Sequence, residues 1–282
     1  MVKGLNKTIL IPIAIFLLSI AVLVNNFLRT GDFILRDLDL KGGTLIIIDT
    51  PTPSTDTPGI EKLLTDKYGS VFVSNTKTAA GYGIEIQVEK DVDVNSAIKD
   101  LKNFGIVINS FTSESIGSFL GNLFFEQVVI ILAVGFALMS IVIFLIYKTP
   151  ITSFGIVFAS LANILTTLAL TSLLGIKISF AGFAALLMLI AYTVDTNIVL
   201  TNKVLRVVPE SFRTQYKKAL STGLTLIATI TLTMIVVSIL SPSKLLVNVS
   251  QILVVGFIFD LPYTWIFNSA MLEWWVNRGH KA

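Results

Sequence analysis

Two acidic residues, Asp195 and Asp260, lie within long apolar stretches of the sequence. Tyr192 and Asn197 lie close to Asp195, and Tyr192, three residues earlier, shares its face of a helix. An ionised carboxylate near the centre of a bilayer costs at least ~2.5–3.5 kcal/mol on insertion scales. Such residues need a polar partner, a water-filled cavity or a proton. The pattern therefore predicts a membrane protein that moves or senses protons, with these four residues as candidates for proton coupling.

Each acid also has a purely structural interpretation. Asp195 could be a structural carboxylate that only forms hydrogen bonds to neighbouring helices. Burial would disfavour its charged form, which supports the alternative that Asp195 changes its protonation state. Asp260 is followed two residues later by Pro262, which deprives the Ile258 carbonyl of its helical donor. Asp260 is therefore part of a hinge or water site, or else a local cap between two half-helices.

Two polar stripes accompany these acids. One face of a predicted helix at 151–174 has Ser160, Asn163, Thr167 and Thr171, and one face of a predicted helix at 219–240 has Thr222, Thr225, Thr229 and Thr233. Each hydroxyl could simply bond the carbonyl one turn earlier and allow helices to approach. Two parallel stripes beside a buried acid make a hydrated interior an equal alternative.

Side chains for catalysis and metal binding are scarce. The sequence has no cysteine, and its one histidine, His280, is close to the end. Disulfides, thiolate catalysis and cysteine-ligated metal are therefore excluded, as is Ser–His–Asp chemistry within the apolar stretches. The run Lys41-Gly42-Gly43 lacks the Lys-Ser/Thr pair of a phosphate-binding loop. We expect no enzyme activity, no cofactor, no metal and no nucleic-acid partner.

Six apolar stretches could position the candidate residues. They lie near 8–28, 127–147, 151–174, 179–203, 219–240 and 247–272. Each is close to the roughly 20 residues that cross a bilayer. Charged residues make up 14% of the chain, against about 25% in soluble proteins. The first stretch exceeds a signal-peptide core of about 7–15 residues, which favours a retained anchor. The prediction is an α-helical polytopic membrane protein with six transmembrane helices.

Residues 29–126 have a different composition, with 14 of the 18 acidic residues and nine of the 21 basic residues. A β-branched run at 43–50, alternating apolar residues at 70–76 and 82–88 and a last segment at 106–111 predict four strands. Pro58 and Asp93 mark the starts of two helices. The order β-α-β-β-α-β predicts an α+β ferredoxin-like domain. The predicted domains are a transmembrane helix at 1–28, the ferredoxin-like domain with an amphipathic connector (113–125) at 29–126, a five-helix transmembrane bundle at 127–275 and a cytoplasmic tail at 276–282.

The distribution of basic residues predicts the orientation. One set of short loops and ends contains Lys3, Lys7, Lys148, Lys203, Arg206, Arg213, Lys217, Lys218, Arg278 and Lys281, and the other contains only Lys177 and Lys244. Because basic residues favour the cytoplasmic side, both termini are predicted to be cytoplasmic and the 29–126 domain extracytoplasmic, in the cell membrane. The basic loop at 203–218 is a cytoplasmic anchor or a contact with anionic membrane lipids or a partner.

Several short motifs resemble the SecD/SecF family of protein-export membrane proteins. They are Ala191–Leu200 (AYTVDTNIVL), Leu38–Ile46 (LDLKGGTLI), Glu114–Gly121 (ESIGSFLG) and Thr222–Leu226 (TGLTL). The first resembles the fourth span of SecF and is fairly specific to it, whereas the Gly-Gly run is shared by SecD and SecF. The resemblance covers nearly the whole chain, and the compact form is similar to archaeal members.

The resemblance implies a role in protein export. A SecF-type subunit pairs with SecD beside the SecY channel and helps to pull unfolded polypeptides outward, drawing on the proton gradient. The family is related to resistance–nodulation–division transporters, which use acids in their fourth spans, and the matched acid here is Asp195. Bacterial members usually have an arginine near the start of the fifth span, where this chain has Leu220-Ser-Thr-Gly. The chain therefore lacks the basic member of that ion relay.

Two other functions fit the same features. A half-transporter for lipids or small hydrophobic molecules would need a substrate cleft, which such proteins usually build from larger outer domains. A scaffold that stabilises SecD without proton coupling would fit the missing arginine. Co-purification with SecD and SecY would favour either export or scaffolding over small-molecule transport.

Overall fold

The computed structural model describes residues 7–278 apart from 53–55, 70, 79–80, 90–91, 206–210 and 242. Part of the basic loop at 203–218 and most of the predicted tail therefore lie outside the described residues. The elements in chain order are α1 (Leu10–Thr30), α2 (Leu38–Lys41), β1 (Gly43–Thr50), α3 (Thr57–Tyr68), β2 (Val71–Thr78), β3 (Gly81–Val88), α4 (Val94–Asn103), β4 (Ser110–Ile116), α5 (Ser118–Tyr147), α6 (Pro150–Leu173), α7 (Phe180–Leu205), α8 (Phe212–Leu240), α9 (Lys244–Pro262), a π-helical segment (Tyr263–Asn268) and α10 (Ser269–Asn277).

The chain forms two compact units. The first, which we call the helical unit, comprises Met1–Leu35 and Ile130–Ala282, and the second, which we call the sheet unit, comprises Arg36–Val129. Helix α5 begins in the sheet unit and continues into the helical unit. Each unit is described separately below.

The sheet unit contains one antiparallel four-stranded sheet in the order β2-β3-β1-β4. Strand β1 is central, with Ile46 opposite Ile86 on β3 and opposite Ser113 on β4. Alternate residues of β1 are buried because successive side chains of a strand point to opposite faces. The core consists of Ile46, Ile48, Ile60, Leu64, Val71, Val73, Ile84, Ile86, Val88, Ala97, Ile98 and Leu101.

Helices α3 and α4 supply the other side of this core. The Asp56 carboxylate accepts a hydrogen bond from the Gly59 N–H, and the Asp93 carboxylate accepts one from the Asn95 N–H. Both aspartates satisfy donors that a helix leaves free at its first turn. The strands and helices occur in the predicted order, β-α-β-β-α-β, after the short helix α2.

The last strand and the predicted connector differ from expectation. Strand β4 is at Ser110–Ile116, not at 106–111, and the predicted amphipathic connector at 113–125 is instead the end of β4 and the first turns of α5. Ile106 and Ile108 precede the strand and pack against the core from a loop, which explains their apolar character. Strand β4 is a largely exposed edge strand, so its sequence has no apolar alternation to reveal it.

Six helices in the described part of the chain are long and apolar enough to cross a membrane, as predicted. They are Leu10–Thr30, Phe119–Tyr147, Pro150–Leu173, Phe180–Leu205, Phe212–Leu240 and Lys244–Asn277. Within their most apolar windows, α6 and α7 are each 56% buried, whereas α5 is 6% and α8 is 11% buried. Helices α6 and α7 are therefore central in the helical unit, and α5 and α8 are peripheral.

Candidate functional site

The carboxyl group of Asp260 lies in a polar network inside the helical unit. Asp260 is 1% exposed and is near the middle of the span Lys244–Asn277. The hydroxyl of Thr196 on α7 donates to Asp260 Oδ2 at 2.9 Å, and the hydroxyl of Thr264 donates to Asp260 Oδ1 at 3.0 Å. The carboxyl is thus held by short side chains from two different spans, and both of those side chains are buried.

Amide groups extend this network between α7 and the last span. Asn197 Nδ2 donates to Thr264 Oγ1 at 2.9 Å and to the Thr193 carbonyl at 2.7 Å. Asn268 Nδ2 donates to Asn197 Oδ1 at 2.7 Å. Asn197, Thr264 and Asn268 are each fully buried. The polar side chains therefore replace apolar packing along this helix interface.

A third helix joins through Asn163 on α6. Its Nδ2 donates to Thr193 Oγ1 at 2.8 Å, so it bonds a residue on the same helix as Thr196. The other members of the α6 stripe bond the carbonyl one turn earlier: Ser160 to Ile156, Thr167 to Asn163 and Thr171 to Thr167. The α6 stripe is thus buried, and Asn163 is the member that reaches another helix.

The helix that carries Asp260 is interrupted directly after it. Helix α9 ends at Pro262 and continues as the π-helical segment, which contains Thr264 and ends at Asn268. Pro262 has no N–H to donate, so the ladder lacks the bond to the Ile258 carbonyl at this point. A π-helical turn holds more residues than an α-helical turn and so changes which side chains share a face. The predicted interruption beside Asp260 is therefore a π-helical segment.

A separate chain of hydroxyl groups links the first span to the same region. Ser19 on α1 donates to Thr166 Oγ1 at 3.0 Å, and Thr166 shares a hydrogen bond of 2.6 Å with the Tyr263 hydroxyl. Tyr263 is the first residue of the π-helical segment and is fully buried. The segment therefore has polar contacts to α6 through Tyr263 and to α7 through Thr264 and Asn268, and Thr166 extends the first of these to α1.

Asp195 lies on another face of α7 and is exposed in this chain. Ala184, Met188 and Ala191 precede it at helical spacing and are exposed as well. Tyr192 is half-buried, and its ring packs edge-on against Phe257 at 5.3 Å between ring centroids. The structure therefore does not bring Asp195 into the network around Asp260, whereas Asn197, two residues later, is part of it.

The threonine stripe of α8 is also exposed. Thr222, Thr225, Thr229 and Thr233 each donate to the carbonyl four residues earlier. Thr222 Oγ1 also accepts from Lys203 Nζ at 2.7 Å. The two stripes predicted from the sequence thus differ: the α6 stripe faces the interior of the helical unit, and the α8 stripe faces outward in the isolated chain.

The network around Asp260 is suited to hold a proton. Its hydrogen-bonding partners in the described part of the chain are threonine hydroxyls, and no group of three or more metal-binding side chains occurs there. A buried carboxylate without a counter-charge is strongly disfavoured. The neutral carboxyl group fits this environment, and the ionised form would require water or a cation to enter.

Sequence reasoning identified Asp260, Asn197 and Asn163 but not most of their partners. Thr193, Thr196, Thr264 and Asn268 complete the network, and Tyr263 belongs to the neighbouring chain of hydroxyl groups. Asp260, Thr264 and Asn268 recur at every fourth residue, which is a signal for a polar helix face that could have been read beforehand. The contacts of Thr193 and Thr196 depend on how the helices pack, so no local pattern indicates them.

Comparisons with known proteins agree with this architecture. The family described as "Protein export membrane protein SecD/SecF, C-terminal" matches residues 96–278. A protein-export membrane protein SecF from Pyrococcus furiosus is 31% identical over 274 residues, covering 97% of this chain and 92% of that protein. A protein-export membrane protein SecF from Methanocaldococcus jannaschii is 34% identical over 287 residues, covering 99% of this chain and 98% of that protein.

Solved structures show the same fold. The crystal structure of SecDF, a translocon-associated membrane protein from Thermus thermophilus, matches with a TM-score of 0.75 at 18% identity, covering 99% of this chain and 40% of that chain. SecDF in a super-membrane-facing form matches with a TM-score of 0.57 at 17% identity. With near-complete coverage of relatives at 31% and 34% identity, the chain is a multi-pass membrane protein that belongs to the SecD/SecF family of protein-export membrane proteins.

Proposed function

We propose that this chain is an accessory subunit of the Sec translocase that promotes export of unfolded polypeptides across the cytoplasmic membrane. The observation that carries this proposal is the similarity to relatives named protein-export membrane protein SecF. That similarity covers 97% and 99% of this chain, so it includes both the helical unit and the sheet unit.

The proposed partner is a SecD-type subunit beside the SecY channel. This chain corresponds to 40% of the solved SecDF chain, which leaves a larger part that a second protein would supply. The exposed face of α7 supports such a partner, because Ala184 and Ala191 allow another helix to approach closely. Asp195 lies on this face ten residues before Leu205, or about 15 Å along the helix. That is near mid-membrane, where contact with lipid would be costly for a charged group.

The sheet unit is proposed to be an extracytoplasmic, ferredoxin-like domain within residues 29–126. The antiparallel order β2-β3-β1-β4 and the helices α3 and α4 between its strands support this arrangement. The excess of basic residues at the opposite ends of the membrane spans supports its location outside and both termini inside. We propose that it contacts the emerging polypeptide or the SecD subunit.

Proton coupling is assigned to the two intramembrane acids. Asp195 is proposed to exchange protons at the partner interface, with Tyr192 beside it. Asp260 is proposed to stay protonated while the network with Asn197, Asn163, Thr196 and Thr264 is closed, and to release its proton when the π-helical segment moves. One charge that crosses 100 mV releases ~2.3 kcal/mol of free energy. This is comparable to the free energy needed to break a few of these hydrogen bonds.

The remaining polar stripe is assigned to the same interface as Asp195. Thr222, Thr225 and Thr229 are exposed on α8 but their hydroxyls already donate to backbone carbonyls. They are therefore proposed to provide a smooth, weakly polar surface for a partner helix. Thr167 on α6 is buried and bonds its own helix, so it is proposed to support Asn163 and not to carry protons itself.

A complementation experiment tests the export role. A strain that lacks its own SecF is given this full-length chain with a matching SecD, and accumulation of an unprocessed secreted reporter is measured. The proposal predicts restored processing and co-purification of SecD and SecY with the chain. Co-purification without any effect on processing would favour the scaffold, and failure of both would contradict the proposed function.

A further inference from the structure

A cleft opens at the end of the helical unit where α1 and α8 begin and α10 ends. Its volume is about 470 Å³, within the roughly 300–1,000 Å³ typical of ligand sites. Ile11 from α1, Phe212 and Tyr216 from α8, and Trp265 from the last span form its apolar wall. A cleft of this size holds a small amphiphile or the head group and part of one chain of a lipid.

The aromatic wall is held in place by its own contacts. The Tyr216 hydroxyl donates to the Trp265 carbonyl at 3.0 Å, and the two rings pack edge-on at 6.2 Å between centroids. Phe212 stacks on Tyr216 at 6.4 Å between centroids. The wall is therefore formed before any ligand binds, which lowers the entropy lost on binding.

Among the described residues that line this cleft, one is basic and one is acidic. Arg213 is in the first turn of α8 and is exposed, and Glu273, on α10, is half-buried. Among the described residues, the ion pairs lie elsewhere, at Lys41–Glu89 and Lys67–Asp100, so the two charged groups of the cleft are not paired with each other. A ligand could therefore meet both charges at once.

This end of the helical unit has the features of a membrane–water boundary. Trp274 and Trp275 follow Glu273 directly, and the Arg278 guanidinium lies 4.1 Å from the centre of the Trp274 ring. Tryptophan and arginine side chains at the end of a membrane helix are typical of the head-group region. The cleft therefore lies where lipid head groups and the first part of their acyl chains are found.

We propose that this cleft binds an aminophospholipid, with phosphatidylethanolamine as the simplest case. The phosphate would lie on Arg213 and the first turn of α8, where a helix N-terminus favours an anion. The ammonium group would donate to Glu273, and part of one acyl chain would lie along the aromatic wall. The carboxylate of Glu273 would repel a head group that has only negative charge. A choline head group has no N–H to donate to Glu273. Such binding implies no movement of lipid across the membrane.

Lipid retention by the purified full-length chain tests this site. Phosphatidylethanolamine, phosphatidylcholine and phosphatidylglycerol with identical acyl chains are added in detergent, and bound lipid is measured by native mass spectrometry. We expect phosphatidylethanolamine to bind up to roughly fivefold more tightly than phosphatidylcholine. This difference in affinity is the one expected from a single partly exposed ion pair. Equal binding of the three lipids, or a preference for phosphatidylglycerol, would overturn the proposal.

Variants assign the two charges separately. Glu273→Gln should remove the preference for phosphatidylethanolamine over phosphatidylcholine, whereas Arg213→Gln should weaken both lipids alike. Lys217→Gln is the matched control, because Lys217 is an exposed base on the same end of α8 that does not line the cleft. A loss in Lys217→Gln as large as that in Arg213→Gln would show nonspecific attraction and overturn the assignment.

A photoactivatable phosphatidylethanolamine provides an independent readout. Its cross-links in the unmodified chain should fall on peptides that contain Phe212–Tyr216 or Trp265–Glu273. Cross-links confined to other membrane helices would contradict the site even if lipid is retained.

Discussion

The two oxygens of the Asp260 carboxyl group have unequal surroundings. Thr264, on the same span, donates to Oδ1 and has no other acceptor among its described hydrogen bonds. Thr196 donates to Oδ2, but the carbonyls of Tyr192 and Thr193 each lie 3.0 Å from the same hydroxyl. Loss of the carboxyl group would therefore leave Thr264 without an acceptor, while Thr196 could turn to its own helix.

This asymmetry predicts how substitutions at Asp260 affect stability. Asp260→Asn keeps an oxygen for Thr264 and should unfold at nearly the wild-type temperature in detergent. Asp260→Leu should lower the free energy of unfolding by roughly 0.6–1.7 kcal/mol, the range of hydrogen bonds between membrane helices. Thr264→Val should also be destabilising, because it leaves one N–H of the Asn197 amide without its acceptor. Asp260→Leu that unfolds at the wild-type temperature would contradict the assignment.

Residue types alone indicated the acids and asparagines of this region but not their surroundings. Asp195 and Asp260 look alike in the sequence, since both are acids within apolar spans, yet one is exposed in the isolated chain and the other is buried. The stripes that contain Thr167 and Thr225 likewise share one spacing but differ in burial. Which helix faces the interior depends on packing between distant segments, so the local pattern could not distinguish the members of either pair.

At the scale of elements, α8 approaches the last span through Gly223. A Cβ atom at this position would lie 2.0 Å from Cζ2 of Trp265, so any larger residue forces the ring to move. Gly135 on α5 has more room, because its Cβ would lie 3.4 Å from the nearest atom, on Leu187. The two glycines therefore form a matched pair for measuring the importance of close packing.

Substitution of these glycines should have different effects. Gly223→Ala should lower the free energy of unfolding by about 1–3 kcal/mol, the usual penalty for overpacking a filled interior. Gly135→Ala should be neutral or slightly stabilising, because alanine favours a helix. Thermal unfolding of both variants in the same detergent measures the difference. Equal unfolding temperatures would show that the Trp265 ring can move with little loss of stability.

In the sheet unit, an ion pair with a tyrosine connects α3 to α4. Asp100 Oδ2 accepts from Lys67 Nζ and from the Tyr68 hydroxyl, each at 2.6 Å. These bonds lower the pKa of Asp100 and raise that of Lys67, with the bond between the two groups as the largest cause in each case. Because the pKa of Asp100 is lower in the folded state, the stabilisation is present above the unfolded value of about 3.9 and is lost as pH falls through the folded value.

Hydrogen exchange should reveal this pH dependence. In the full-length chain, amides of α3 and α4 should keep the same protection from pH 7 to pH 5 and lose protection below about pH 4, after correction for intrinsic exchange. Asp100→Asn should reduce that acid-dependent loss, leaving the part due to the Asp93 cap of α4, and should lower protection at neutral pH. An identical acid-dependent loss in Asp100→Asn would assign the effect to other carboxylates.

The elements themselves were largely predictable, with one exception. Membrane helices have long apolar runs, β1 has a run of β-branched residues and β3 has alternating apolar residues, so each has a local signal. Strand β4 was misplaced because pairing with β1 stabilises it, and not burial of its own side chains. The π-helical segment beside Asp260 was indicated only by Pro262.

For the whole molecule, the exposed face of α7 carries the proposal of a partner. A single chain leaves Asp195 uncovered on a helix of membrane length, after the small residues Ala184 and Ala191, which permit close approach. Burial of this face by a SecD-type subunit would supply the surroundings that the acid lacks here. The variant Ala191→Cys should therefore form disulfide cross-links with a cysteine on the partner helix. Phe154→Cys, at an exposed position on α6, is the control and should not form them.

Export driven by the proton gradient, measured in inverted membrane vesicles, tests the central claim most directly. Vesicles with the wild-type chain, Asp195→Asn or Asp260→Asn are compared with and without a proton gradient, at equal amounts of co-purified SecD. The account predicts that the gradient accelerates export with the wild-type chain and that Asp195→Asn abolishes this acceleration while the complex remains assembled. Gradient-dependent export by Asp195→Asn at the wild-type rate would contradict it.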